Sequence, residues 1–127
     1  MSVRTLYEYA VVRVVPRVER EEFVNVGIAL YCKKFSYAEF LFNLNEQKVK
    51  ALYADSDVDE IRKHLESFQK ICAGDQAFGK IANLEQAERF RWLTANRSTI
   101  IQSSASHTGL CFSPEETHKD LMNKLIL

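Results

Sequence analysis

Tyr7–Cys32, YEYAVVRVVPRVEREEFVNVGIALYC, consists of two apolar runs separated by a charged one. The first run carries Tyr7, Tyr9, Val11 and Val12 with no helix breaker, and Val14-Val15 lead into Pro16. Proline lacks the N–H that a ladder needs and pushes the preceding residue to extended geometry, so a first strand ends at Val15. Arg17–Glu22 (RVEREE) is too charged for a sheet interior and reads as a solvated loop. From Phe23 to Lys33, strict alternation puts Val24, Val26, Ile28 and Leu30 on one face. Phe23, Asn25, Gly27, Ala29 and Tyr31 then share the other. Apolar residues on both faces point to a strand at the centre of a sheet. Gly27 weakens that strand unless something approaches closely there, such as a bulge, another side chain or a ligand. Arg13, Glu22 and Asn25 are polar residues that a purely structural hairpin does not need.

Outward from this hairpin, Lys33-Lys34 is a short turn and Phe35–Leu44 is an aromatic-rich third strand, completing an antiparallel meander. The period then changes. Glu46–Ala54 reads as a short helix with Val49 and Leu52 inward. Asp57 and Glu60 have capping-box spacing ahead of a stripe of Val58, Ile61, Leu65, Phe68 and Cys72, and Gly74 closes that helix. Glu85–Leu93 is a third helix facing in through Ala87, Phe90 and Leu93. Ser98–Gln102 is a fourth strand, and Ser103–Phe112 is irregular. Ser113-Pro114-Glu115-Glu116 starts a last helix that buries Leu121, Met122, Leu125 and Ile126. The order β-β-β-α-α-α-β-α predicts one α+β domain over 1–127. Its antiparallel sheet has about four strands, a three-strand meander plus a returning strand beside the first, with helices on one face.

Composition narrows the class. Lys+Arg and Asp+Glu stand at 17 each, which argues against bulk capture of nucleic acid and against a DNA-binding antitoxin. No apolar run is long enough for a membrane span, and MSVRTLYEYA lacks the pattern of a signal peptide. Three cysteines, Cys32, Cys72 and Cys111, are odd in number and widely spaced. They read as reduced core thiols of a cytoplasmic protein rather than a disulfide framework or a metal site. No cofactor motif is present, since four scattered glycines cannot build a phosphate loop.

Two groups of residues carry possible chemistry. Arg89, Arg91 and Arg97 precede the hydroxyls of Ser98, Thr99, Ser103, Ser104 and Thr108, and guanidinium forks with hydroxyl donors suit phosphate or carboxylate. The bland alternative pairs Arg89 and Arg91 with Glu85 and Glu88 along one helix. Arg13 is flanked by apolar residues and needs an acidic partner, for which Glu22 across the hairpin is nearest; Asn25 satisfies a backbone group or faces a ligand. Ser103–Gly109 reads as an anion-holding loop, with His107 as its titratable member. His64 and His118 read as solvent-facing helix residues. The candidate anion site is therefore Arg13, Asn25, Arg91, Arg97, Ser98, His107 and Thr108, with Glu22 as a structural pair and no catalytic set placed by spacing. Arg97 and the Ser103–Gly109 loop leave opposite ends of the fourth strand, so they share a site only if that strand is short or the loop folds back.

The runs Y-x-Y-A-V-V-R-V-V-P-R, E-F-V-N-V-G-I-A-L-Y, E-R-F-R-W-L-T-A-x-R-S-T and H-T-G-L-C resemble the bacterial family called domain of unknown function 3037, from Tyr7 to the last helix. Arg13, Pro16, Glu22, Asn25, Gly27, Arg91, Arg97, Ser98, His107, Thr108 and Gly109 match its motifs. Ser104-Ala105-Ser106 stands where the resemblance leads one to expect a proline before His107. The family has no assigned activity. Its members are commonly encoded beside a HipA-like serine/threonine kinase, so the resemblance implies a non-enzymatic interaction or regulatory partner of such a kinase, in the manner of a toxin–antitoxin pair. The alternative is a phosphate- or nucleotide-binding enzyme or sensor that uses the Arg/Ser/His residues.

Overall fold

The computed structural model describes residues 3–127. Strands β1 (Thr5–Val14), β2 (Val24–Cys32) and β3 (Tyr37–Phe42) form the meander, all antiparallel. The third strand is shorter than Phe35–Leu44 because Lys33–Ser36 is all turn. Ser36 adopts φ 50° there and donates its N–H to the Lys33 carbonyl at 3.1 Å. The free edge of β1 is filled twice. β4 (Ile101–Ser103) pairs with Val12–Val14, and β5 (His107–Cys111) pairs with Thr5–Tyr9.

The returning strand therefore lies beside β1 as anticipated, but it occupies Ile101–Ser103 rather than Ser98–Gln102. Half of the supposedly irregular Ser103–Phe112 is a fifth strand. Between the two registers, Ala10 and Val11 face Ser104, Ala105 and Ser106, two residues against three, which is a bulge. Ser104 keeps the ladder closed across it. Its N–H donates to the Val11 carbonyl at 2.8 Å, and its hydroxyl accepts the Val11 N–H at 2.9 Å.

A second bulge sits in β2. Val12 pairs with Gly27 but Arg13 pairs with Asn25, so Val26 is the extra residue, and its carbonyl accepts from Asn43 N–H at 2.7 Å. A one-residue slip moves side chains to the other face. Val24 and Val26 thus join Ala29 and Tyr31 in the main core, and Leu30 and Cys32 face the other way. Strict alternation had grouped the valines with Ile28 and Leu30. Gly27 does have a close neighbour, and it belongs to the chain itself: a Cβ there would collide with the Leu41 carbonyl and the Phe40 ring.

Helices α1 (Glu46–Leu52), α2 (Val58–Ala73) and α3 (Gln86–Leu93) cover one face, with short 3₁₀ turns at Gln76–Phe78 and Ile81–Asn83 between the last two. The caps are those the sequence specifies. Asp57 accepts from Glu60 N–H at 3.1 Å, and Gly74 closes α2 at φ 81°. Val58, Ile61, Leu65 and Cys72 are buried, and the Phe68 ring packs 4.7 Å from Phe40.

The last helix, α4 (Pro114–Leu125), is capped by Ser113 but lies on the opposite face, so the helices do not all share one side. That face needs a cover because Leu30, Cys32 and Cys111 make it apolar too. α4 buries Pro114, His118 and Met122, while Leu125 remains 42% exposed.

His118 is fully buried rather than solvent-facing. Its Nε2 lies 2.7 Å from the Ile28 carbonyl, which can only accept, so Nε2 carries the proton. Nδ1 then accepts the Tyr37 hydroxyl at 2.6 Å, and the ring is held neutral. Burial lowers its pKa from 6.5, opposed in part by the bond to Ile28.

A base whose folded pKa is depressed leaves stability intact above the unfolded value. Below about pH 6.5 the unfolded chain binds a proton that the folded chain does not, and stability falls by up to about 1.4 kcal/mol per pH unit. We expect the melting temperature to drop between pH 7.5 and 5.5. His118→Gln should melt lower at pH 7.5 yet show a flatter slope, and parallel slopes in the two proteins would refute this role.

Candidate functional site

Arg13, on β1, has Asn25 of β2 on one side and Gln102 of β4 on the other as its direct register partners. Three side chains able to donate hydrogen bonds thus form one row across the face that α4 only partly covers. The Arg13 guanidinium stacks over the Phe23 ring at 4.2 Å, and its Nε is buried with no acceptor. Glu22 is not its partner. A 3₁₀ turn at Val18–Arg20, closed by Glu21 at φ 57°, sets Arg20 beside Glu22, and these pair at 2.8 Å on the surface. Among the described residues Arg13 makes no ion pair.

His107 lies on the same face, its ring 5.3 Å from that of Tyr9, which in turn is 6.1 Å from Tyr7. Its register partner is Tyr9, four residues along β1 from Arg13, or about 13 Å. The other expected members lie elsewhere. Thr108 pairs with Glu8 and points to the helix-covered side, and exposed Arg91 lines a cleft there with Glu8, Lys33 and Glu85. Arg97 stacks on Trp92 at 4.2 Å and donates to the carbonyls of Trp92 and Leu93, where a cation complements the C-terminal end of α3. Ser98 is exposed beside it. The structure thus brings Arg13 and Asn25 together, with His107 further along the same face, and places Arg91 and Thr108, and Arg97 with Ser98, apart from them.

Arg89 belongs to the fold. It is buried, donating Nε to the Cys72 carbonyl at 3.3 Å and Nη1 to the Leu84 carbonyl at 2.7 Å, so it caps α2 instead of pairing with Glu85 or Glu88. A Cβ on Gly74 would lie 3.0 Å from its guanidinium. Burial raises the Glu39 carboxyl pKa, with Arg89 pulling it back. Burial likewise pushes the Cys72 thiol up to about 12 and raises Cys111, leaving both in the unreactive thiol form.

The β5 edge is the feature that sequence reasoning missed. Among the described residues, β1 is the one strand that β5 pairs with. Leu6 and Leu110, register partners, are each 57% exposed, as is Phe112, and no charge interrupts His107–Cys111. The β3 edge is different: Gln69 donates to the Phe40 carbonyl at 2.9 Å, Gln86 donates to the Ser36 carbonyl at 2.7 Å, and α2 packs alongside. Strand propensity hides β5, because Gly109 sits in its middle. The usable signal is Tyr7 itself, since an aromatic on a central strand suits a glycine across from it. A Cβ on Gly109 would meet the Tyr7 ring at 2.6 Å.

The model of the family described as Protein of unknown function (DUF3037) matches residues 9–126 of the chain. No curated protein and no solved structure matches it.

Gly109→Val should force Tyr7 out of its place and detach β5 locally while leaving the helix-covered core intact. Amide exchange at His107–Cys111 should accelerate about tenfold or more, with little change at Ile61–Leu65. Unchanged protection of β5 would show that the strand does not depend on this contact.

Proposed function

We propose, for a chain that belongs to the family described as Protein of unknown function (DUF3037), a role as a binding module that docks a partner protein along its β5 edge. The observation carrying this reading is the uncharged strand with Leu6, Leu110 and Phe112 exposed beside it, on a sheet whose other edge is covered. Monomeric proteins blunt such edges with charge, proline or a covering helix, and an open one accepts a strand from another chain. Main-chain hydrogen bonds supply affinity in that mode, and exposed side chains at alternate positions supply specificity. The partner we name is a HipA-like serine/threonine kinase of the bacterial cytoplasm, on the resemblance alone. Leu110→Lys removes an exposed anchor without touching the core. It should weaken a complex with a HipA-like kinase about tenfold or more in size-exclusion and calorimetric titrations. Separate elution of the parent protein and the kinase at micromolar concentration, with and without ATP, would remove this partner.

A second reading is favoured by Arg13. A partly buried guanidinium whose Nε has no acceptor among the described residues suits an anion, and Asn25 and Gln102 add amide donors on either side. The ligand in this reading is a phosphate or a nucleotide. Millimolar phosphate, sulfate or ATP should raise the melting temperature through preferential binding to the folded state. Arg13→Ala should abolish the shift, and Arg97→Ala, at the end of α3, should retain it. Loss of the shift in Arg97→Ala but not in Arg13→Ala would move the anion to α3.

A further inference from the structure

We propose that the groove lined by Pro16, Val18, Tyr53, Ile61, Thr99 and Ile100 binds a small organic cation with an aliphatic chain. Its volume, about 760 Å³, is that of a small-molecule site rather than of a surface wrinkle. Val18, Ile61 and Ile101 form an apolar floor with Ile100, whose side chain stays 45% exposed. Ile100 is held there by its backbone, since Val15 N–H donates to its carbonyl at 2.6 Å. An aliphatic chain laid along these residues covers surface that the fold leaves wet.

The rim sets the charge of the ligand. Asp55, Asp57 and Glu60 line the groove together with His64, and among the described residues no lysine or arginine lines it, although the Arg17 guanidinium borders it over Tyr53. Asp57 is the N-cap of α2, and Glu60 lies 3.2 Å from His64. Asp55 makes no ion pair among the described residues. Tyr53 adds a π-face that already receives a cation: the Arg17 guanidinium lies 5.1 Å from its ring, with its charge met by Glu19 at 2.6 Å. Three carboxylates repel an anion, and a neutral chain gains nothing from them. A chain ending in an ammonium or guanidinium uses both floor and rim.

The test titrates the whole protein with hexylammonium, 1-hexanol and methylammonium, following the methyl resonances of Ile61, Ile100 and Ile101. Hexylammonium should shift them saturably and bind at least tenfold tighter than either control, because only it uses both features. Asp55→Asn combined with Glu60→Gln should weaken it about fivefold. Both side chains are exposed, so the fold is retained. Ile100→Asn should weaken hexylammonium and hexanol alike. Equal affinity for hexanol, absence of saturable shifts, or binding untouched by the double neutralisation would each overturn the proposal. So would saturation by a Val-Lys-Val tripeptide but not by hexylammonium, which would assign the groove to a protein segment.

Discussion

Both hydrogen-bonding edges of β1 must be occupied, and most of the fold depends on how that is done. One edge takes β2, its neighbour across a nine-residue connection. The other waits for residues about ninety positions later, which arrive as two short strands rather than one. Closing a loop of that length is entropically unfavourable, and three ladder pairs at β4 are few to offset it. The Ser104 hydroxyl and the extra residue at the bulge let the same segment continue as β5 in a shifted register, adding five more pairs. The hydroxyls that looked like an anion loop in the sequence are thus partly ladder chemistry.

Filling both edges of β1 also decides where apolar surface is left over. With β1 and β2 interior, each presents side chains on two faces, and one layer of helices cannot cover both. α4 therefore crosses to the second face, and the Tyr37–His118–Ile28 chain of hydrogen bonds holds it there. α4 contacts β2 and β3, and the β1–β5 side of that face keeps the Tyr7, Tyr9 and His107 rings. Exposed Leu6 and Leu110 lie across the sheet from them. This exposed apolar and aromatic surface is a consequence of a sheet wider than its helical cover.

Helix boundaries were legible because their signals are local. Asp57, Gly74, Ser113 and Pro114 act within a few residues of themselves, and each does what its type predicts. The meander and the return of a strand to β1 were legible from apolar runs and element order. What escaped depends on non-local pairing. Gly27 hints at a bulge but does not fix the extra residue as Val26, so alternation misassigned two valines, and nothing near Gly109 announces a strand until Tyr7 is placed opposite. His118 looked like a surface residue because its partners, Tyr37 and the Ile28 carbonyl, lie some eighty and ninety residues away. The candidate site was legible in part, for the same reason: Arg13 and Asn25 share one hairpin, whereas the placement of Arg97 and Thr108 hangs on which face the returning segment presents.

Polar residues in this chain separate by whether the fold uses up their hydrogen-bonding capacity. Arg89 spends its donors on the Cys72 and Leu84 carbonyls, Arg97 on the end of α3, Ser104 on the ladder and His118 on both sides of its ring. Those four are accounted for by stability, and replacing them would damage structure before any ligand was lost. Arg13 is different. Its ring contact with Phe23 orients the guanidinium but accepts no hydrogen bond, and Glu22, the acidic partner expected for it, is turned toward Arg20. A charge held in a half-buried place without an acceptor costs stability in the isolated chain, and that cost disappears when an acceptor arrives from outside. On this criterion Arg13, with Asn25 and Gln102 beside it, is where the polar chemistry of the sheet remains unfinished.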